Sequence, residues 1–389
     1  MNVVYLDNNA TTRVADEVRE AMLPYLDELY GNPSSMHTFG GQVHRKIEVA
    51  REQVATLINA EPEEIIFTSC GSESDNTALM SSILSSPGKR HIITTRVEHP
   101  AVLNFCKTMA RQGYRVTFLP VDKGGRLDLA ELRAAITDDT AVVSIMYANN
   151  ESGVIFPVQD IADIVKSKDV TFHTDAVQAA GKIPLDVKKL SCDMMSISGH
   201  KMHAAKGVAA LFIRRGTRFS PYIIGGHQEN GRRAGTENVA SIAGFGMAAD
   251  LAKKHLQDEG EMVKTLRDRL EQGLLNTCPD PRVNGDRENR LPNTTNISFE
   301  YVEGEAILLR LNEFNICASS GSACTSGSLE PSHVLRSMGV PFTAIHGSVR
   351  FSLSRYTTEE EIDFVIEKMP PVIKELRELS PYGANPACH

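Results

Sequence analysis

An α/β fold, with helices on both faces of a mostly parallel sheet, is the architecture this sequence predicts. Three observations lead to it. Between about residues 60 and 215, short apolar, β-branched runs alternate with helical stretches. Five of the seven runs pass into a polar, chemically specific segment. At 389 residues the chain exceeds what one core usually serves, so a second, smaller lobe is expected after the long helical stretch that follows.

The strands read in order as EEIIFTS, HIITT, YRVTFLPV, AVVSIMYA, VTFHTDA, MMSIS and GVAALFI. After them come CGSESDN, VEHPAV, NNESG, DAVQ and GHK, and in such sheets ligands gather at the carboxyl ends of the strands. Turns are needed there, but Asn, Asp, Gln, His and Lys are not, so the collection points to one site. Residues 236–276 read as a long helix broken near Gly260. Beyond it, TTNISFEYV and SVRFSLS read as strands, and GEAILLRLNE and TEEEIDFVIEKMPPVIKELREL as helices. The expected division is a large domain over residues 13–255, a small α+β domain from 1–12 and 256–379, and a frayed tail at 380–389.

The composition, 41% apolar and 23% charged, is that of a globular protein. A net charge of -8 argues against nucleic-acid or lipid-surface partners, which call for a basic excess. The opening MNVVYLDNNATT has no leader pattern, and no run of about 18 apolar residues occurs, so a cytoplasmic protein is expected. Seven cysteines without a C-x-x-C fit neither a disulfide framework nor a zinc ribbon. HKMH lacks a third ligand, so no metal is expected, and neither nucleotide-binding glycine pattern is present.

Lys201 closes SISGHK directly after a buried strand. By residue type alone it is a surface lysine, but partly desolvated at the sheet edge its pKa falls and it can form a Schiff base. Asp175 follows VTFHT in the same way. Alone it suits a turn or helix cap; beside such a lysine it can pair with a protonated pyridine nitrogen. Together they fit pyridoxal phosphate. Gly71 and Ser72 open a helix whose free N–H groups suit the phosphate, and Ser198 and His200 flank the lysine. His99 can stack on the ring, and Gln178 lies a helical turn beyond Asp175. Cys324 sits in ICASSGSACTSGSLEPS, a run that offers a thiol nothing to pack against.

YLDNNATT, GNPSSMH, FTSCGSESDN, EHPAV, NNESGV, HTDAVQAAGK, SGHKMHAAKGV, RAGTEN, SSGSACTSGSLEPSHVLRSMG and VRFSLSRYTTEEE together resemble the PLP-dependent cysteine desulfurases, in order and spacing, from about Tyr5 to Leu379. The likeness is closest to the nitrogen-fixation type. It implies the aspartate-aminotransferase-like fold type I and a homodimer. It also implies conversion of L-cysteine to L-alanine, with the sulfur carried as an enzyme persulfide to an iron–sulfur scaffold or other acceptor protein, and nitrogenase as the client. By position, Lys201 would bind pyridoxal 5'-phosphate covalently and act on the α-proton, Asp175 would pair with the ring nitrogen, Gln178 with the phenolic oxygen, and His99 would stack and handle thiol protons. Gly71, Ser72, Ser198 and His200 would hold the phosphate, with Thr236 reaching it from the other subunit; Asn150 and Arg350 would take the substrate carboxylate. Cys324 would be the sulfur-accepting nucleophile, for which small residues and glycine allow reach. Selenocysteine lyase and PLP-dependent aminotransferase are the alternatives. Ala205 stands where many relatives have proline, Cys70 is expected to be structural, and Cys317 falls in a strand-like run.

Overall fold

A computed structural model describes residues 3–320 and 331–380. In chain order, the elements up to the end of the large sheet are β1 (Val4–Tyr5), α1 (Asp16–Met22), α2 (Thr38–Leu57), β2 (Ile65–Thr68), α3 (Gly71–Leu84), β3 (His91–Thr95), α4 (Pro100–Arg111), β4 (Arg115–Leu119), α5 (Leu129–Ala135), β5 (Thr140–Ser144), α6 (Val158–Lys166), β6 (Thr171–Asp175), β7 (Met194–Ser198) and β8 (Ala209–Ile213). There follow α7 (Val239–Thr277), β9 (Pro281–Val283), β10 (Thr294–Phe299), α8 (Gly304–Glu313), β11 (Ile316–Cys317), α9 (His333–Ser337), α10 (Phe342–Ile345), β12 (Ser348–Ser352) and α11 (Glu359–Leu379).

Seven strands form one sheet in the order β2-β8-β7-β6-β5-β3-β4. Only β8 runs against its neighbours, so β2 still points the same way as β7. Strands β2, β3, β5, β7 and β8 are buried along their whole length, and β6 at every residue but Thr171, as their unbroken apolar and small-polar runs require of a sheet covered on both faces. The carboxyl ends of β2, β3, β5, β6 and β7 therefore open on one edge. On that edge lie Asp175, the last residue of β6, Gly71, the first of α3, and His99, Asn150 and Lys201 in the segments that follow β3, β5 and β7.

The smaller sheet, β12-β10-β9, is antiparallel, and β1 pairs in parallel with β11. Its core includes Leu6, Leu266, Leu270, Phe299, Phe351 and Ile362. Val334, Leu335, Met338 and Ile345, from α9, α10 and their connection, pack instead with the larger core. Helix α7 joins the two: Ile242, Phe245 and Ala249 belong to the larger core and Val263, Leu270 and Leu274 to the smaller. The expected break at Gly260 does not occur, since α7 runs through 39 residues without interruption. One glycine costs a helix only about 0.5–1 kcal/mol, and packing at both ends outweighs it. Helix α11 likewise continues through Pro370 and Pro371, started by a capping box between Thr358 and Glu361.

Candidate active site

Gly71 is the first residue of α3, and the chain around it is tight. A Cβ there would lie 3.0 Å from Val177 Cγ2 and 3.6 Å from Ser198 Cβ. Glycine thus leaves space between the start of α3 and the ends of β6 and β7. Into that space a helix of 14 residues presents its first N–H groups, which suit an anion. Ser198 Oγ is buried and has no hydrogen-bond partner among the described residues. Such a hydroxyl is costly unless something else satisfies it.

Asp175 ends β6 and accepts a hydrogen bond from Val177 N at 2.9 Å. Burial lifts its carboxyl to about 6, against the Val177 N–H and the Lys201 charge. Behind it Asp75, on α3, is raised further by burial and by Asp175 itself. A cation brought to Asp175 would relieve both.

Lys201 follows β7 and donates to the carbonyls of Asn9 at 2.5 Å and Ala10 at 2.7 Å. The Asn9 carbonyl also accepts from Gln178 Nε2 at 2.9 Å. Asn9 is a hub: its Nδ2 reaches the Asn150 carbonyl at 3.2 Å and Thr294 Oγ1 at 2.9 Å. Nothing in YLDNNATT marked it for that place, because each partner lies more than 140 residues away.

His99 is the N-cap of α4, with Nδ1 accepting from Ala101 N at 3.2 Å. Its neutral ring therefore carries the proton on Nε2. Burial, Lys201 and His333 push its pKa down to about 4. At neutral pH the ring is therefore neutral, with the Nε2–H as its donor. His200 is held neutral in the same way, at about 4, with Nδ1 3.2 Å from Thr11 Oγ1.

Arg350, from β12, completes the cluster. Its guanidinium donates to the Asn150 carbonyl at 3.0 Å and to Asp7 Oδ1 at 2.7 Å, and its Nε is buried without a partner among the described residues. The fold thus brings Gly71 and Ser198 to one pocket wall, and Lys201, Asp175, Gln178, His99, His200, Asn150 and Arg350 around one centre. Ser72 is exposed at the second position of α3. Thr236 is exposed, and no hydrogen bond among the described residues joins it to the others. Its loop is pinned by Arg233, which donates to Glu73 at 2.8 Å, and by a buried pair between Arg51 and Glu229. Cys70, expected to be structural, is exposed at the N-cap of α3, where the chain leaves the core. Cys324 lies outside the described residues.

The family model for aminotransferase class-V matches residues 4–365. A cysteine desulfurase of Trichormus azollae is 62% identical over 387 residues, covering 100% of this chain and 97% of that protein. The cysteine desulfurase NifS of Azotobacter vinelandii is 59% identical, covering 98% of this chain and 95% of its own. The chain belongs to the cysteine desulfurases of the aminotransferase class-V family. A solved NifS-like protein superposes with a TM-score of 0.91 at 41% identity, covering 96% of this chain and 100% of its own. As a class-V enzyme of this kind, the desulfurase works with pyridoxal 5'-phosphate. Its residues fit that cofactor: an unpartnered buried Ser198 hydroxyl and a glycine-made space at a helix N-terminus suit the phosphate, and a strained pair of buried carboxylates suits the ring nitrogen.

Proposed function

We propose that this desulfurase converts L-cysteine to L-alanine, takes the sulfur as a persulfide on Cys324, and delivers it to an acceptor protein for iron–sulfur cluster assembly, with nitrogenase as the client. The reading is carried by one arrangement: Lys201, Asp175 and the Gly71–Ser198 wall converge at one sheet edge, in a chain 59% identical to a cysteine desulfurase named NifS.

Bound pyridoxal 5'-phosphate supplies an electron sink for charge developing at the substrate α-carbon. The chain's own residues do the rest. The N–H groups of Gly71 and Ser72, with Ser198 and His200, would hold the phosphate. Asp175 would pair with the ring nitrogen, and the neutral His99 ring would stack on the cofactor with its Nε2–H as a donor. Gln178 would donate to the phenolic oxygen. Asn150 and Arg350 take the substrate carboxylate, which places the α-proton before Lys201 Nζ. The amine of Lys201, with an anionic neighbour in Asp175 and cations around it, is the group that takes and returns that proton. The Cys324 thiolate attacks the substrate sulfur, the carbon–sulfur bond breaks, and the electron pair goes to the carbon that becomes alanine.

The same reading divides the chain into a cofactor-binding domain at 13–255 and a small domain from 1–12 and 256–379; two hydrophobic clusters support it, with residues 334–345 packed on the larger. It makes the enzyme a homodimer in which Thr236 reaches the partner's phosphate; the exposure of Thr236 supports that. Among the described residues no helix is long and apolar enough to cross a membrane.

The test is the intact mass after exposure to L-cysteine without added thiol, beside Cys324→Ala. A sulfur adduct removed by thiol, and absent from the variant, is the expected result. An equal gain in the variant would remove Cys324 from the scheme.

A further inference from the structure

A second lysine, which no step above uses, lies beside Lys201. Lys182 follows the turn after β6, and Gly181 brings it there. At φ 75° that glycine is in the left-handed region, and a Cβ on it would lie 3.2 Å from Met202 Cβ and 3.3 Å from Ala252 Cβ. Only glycine lets the turn close this far onto the residue after Lys201 and onto α7.

From that place Lys182 Nζ donates to Gln178 Oε1 at 2.7 Å and to Asn9 Oδ1 at 3.2 Å. The Gln178 amide is therefore bound on two sides by groups of fixed character. An ammonium only donates, so the amide atom facing Lys182 is the oxygen. A carbonyl only accepts, so the atom facing Asn9, at 2.9 Å, is the NH2. Both constraints select the same rotamer, and they leave one amide N–H for another acceptor. A small cavity of about 50 Å³ borders the two lysines. Its one carboxylate, Glu259, is 3.0 Å from Arg355 and so is already paired.

We propose that Lys182 is a positioning residue of the desulfurase: by holding Gln178 Oε1 it keeps the remaining amide N–H directed to the cofactor's phenolic oxygen, and so sets the pH at which the Lys201–cofactor link loses its proton. This rests on the role proposed above for Gln178.

The charged groups facing Lys201 fix the sign. Asp175 from β6 favours a positive link, while Lys182, Arg350 from β12, and His99 and His200 when protonated disfavour it. The pKa of Lys182 is itself lowered by burial, then by Lys201 and Arg350. A donor removed from the phenolic oxygen makes the adjoining link more basic. Loss of Lys182 should therefore raise the midpoint.

The experiment is a pH titration of the visible band of the resting holoenzyme, in wild type, Lys182→Met, Lys182→Arg, Gln178→Ala and the Lys182→Met/Gln178→Ala double variant. Lys182→Met should move the midpoint up by about half a unit or more, and Lys182→Arg, which keeps a donor and a charge, by less than about 0.2. In the Gln178→Ala background, Lys182→Met should add less than half of that shift, the part that the lost charge alone gives. Should the methionine variant not fold, Lys182→Gln carries the same expectation, because its amide no longer fixes which atom faces Gln178. An unchanged midpoint in Lys182→Met, with Gln178→Ala shifted, overturns the proposal and leaves the Gln178 reading intact. An unshifted Gln178→Ala overturns that reading and the proposal together. A Lys182→Met shift that persists undiminished without Gln178 also overturns it, since the lysine would then act on Lys201 by charge alone.

Discussion

Arg350 Nη2 lies 2.7 Å from Asp7 Oδ1, so the strand that ends the small sheet is tied at its centre to the segment after β1. The pair is largely buried, and the Asn150 carbonyl takes a second guanidinium N–H at 3.0 Å. Asp7 thus aims the fork without using all of it, since the buried Nε has no partner among the described residues.

Arg350→Lys should therefore act on substrate binding first. A lysine supplies charge without the fork, and loss of a bidentate contact should raise KM for L-cysteine about 10- to 100-fold. The kcat, read from initial rates of alanine formation, should change by less than about threefold, as expected of uniform binding. An unchanged KM would take Arg350 out of substrate recognition.

Gly71→Ala tests the phosphate space. The helix start accepts alanine's backbone, so thermal unfolding of the apo-protein should be nearly unaffected. The new Cβ, 3.0 Å from Val177 Cγ2, narrows the opening to Ser198. Cofactor affinity, titrated into apo-protein by absorbance, should fall by about tenfold or more, the loss expected when an ordered anion contact is pushed aside. Retained affinity would place the phosphate elsewhere.

The contrast between Lys201 and Lys182 explains what the sequence could and could not tell. Lys201, Asp175 and Ser198 stand at the ends of apolar runs, and strand ends in such a sheet share an edge, so period and position alone bring them together. The seven runs all appear as strands, although AVVSIMYA is ordered as a strand only to Ser144. Lys182 and Asn9 have no such marker. Their partners come from contacts across up to 343 residues of sequence, such as Asn9 N with Ser352 Oγ, and no periodicity records those. Buried Asp75, Glu98 and Glu151 escaped notice for a related reason: on a helix or in a loop an acidic residue reads as solvated until the packing is known.

Burial of His173 gives a pH signature. Its two ring nitrogens lie 2.9 Å from Ser144 Oγ and Ser196 Oγ, and burial takes its pKa down to about 3. The folded value is below the unfolded one near 6.5, so its contribution is fully present above that pH and is lost as pH falls toward 3. Asp175 runs the other way: raised to about 6, it contributes below its unfolded pKa and loses that contribution as pH rises through 6. A His173→Gln apo-protein should therefore show a stability difference between pH 7 and pH 4.5, by urea unfolding, smaller than wild type by about 2 kcal/mol. Equal differences in the two proteins would show that His173 does not stay neutral.

Glu229 and Arg51 hold the loop that carries Thr236. Their side chains are 3% and 7% exposed, with Nη1 2.6 Å from Oε2 and Nη2 2.9 Å from Oε1. The same carboxylate accepts from Phe67 N at 2.9 Å, and Arg51 donates to Ile65 O at 2.9 Å, so the pair also closes the exposed edge of β2. Glu229 and Asn230 adopt left-handed backbone at φ 50° and 56°, a strain that these bonds help to offset. Glu229→Ala leaves the buried guanidinium with only the half-exposed Glu48 carboxylate, 3.2 Å from its Nε, which should cost about 3 kcal/mol in urea unfolding. An Arg51→Met/Glu229→Met protein removes both charges, but it orphans the Phe67 N–H and the Ile65 carbonyl. It should therefore be more stable than Glu229→Ala yet short of wild type by about 1–3 kcal/mol. Since Arg233 tethers the same loop to Glu73 at the start of α3, both variants should also release the cofactor faster, read as decay of the visible band on dilution. A double variant no more stable than Glu229→Ala would mean that the edge-strand bonds, and not the ion pair, hold the loop.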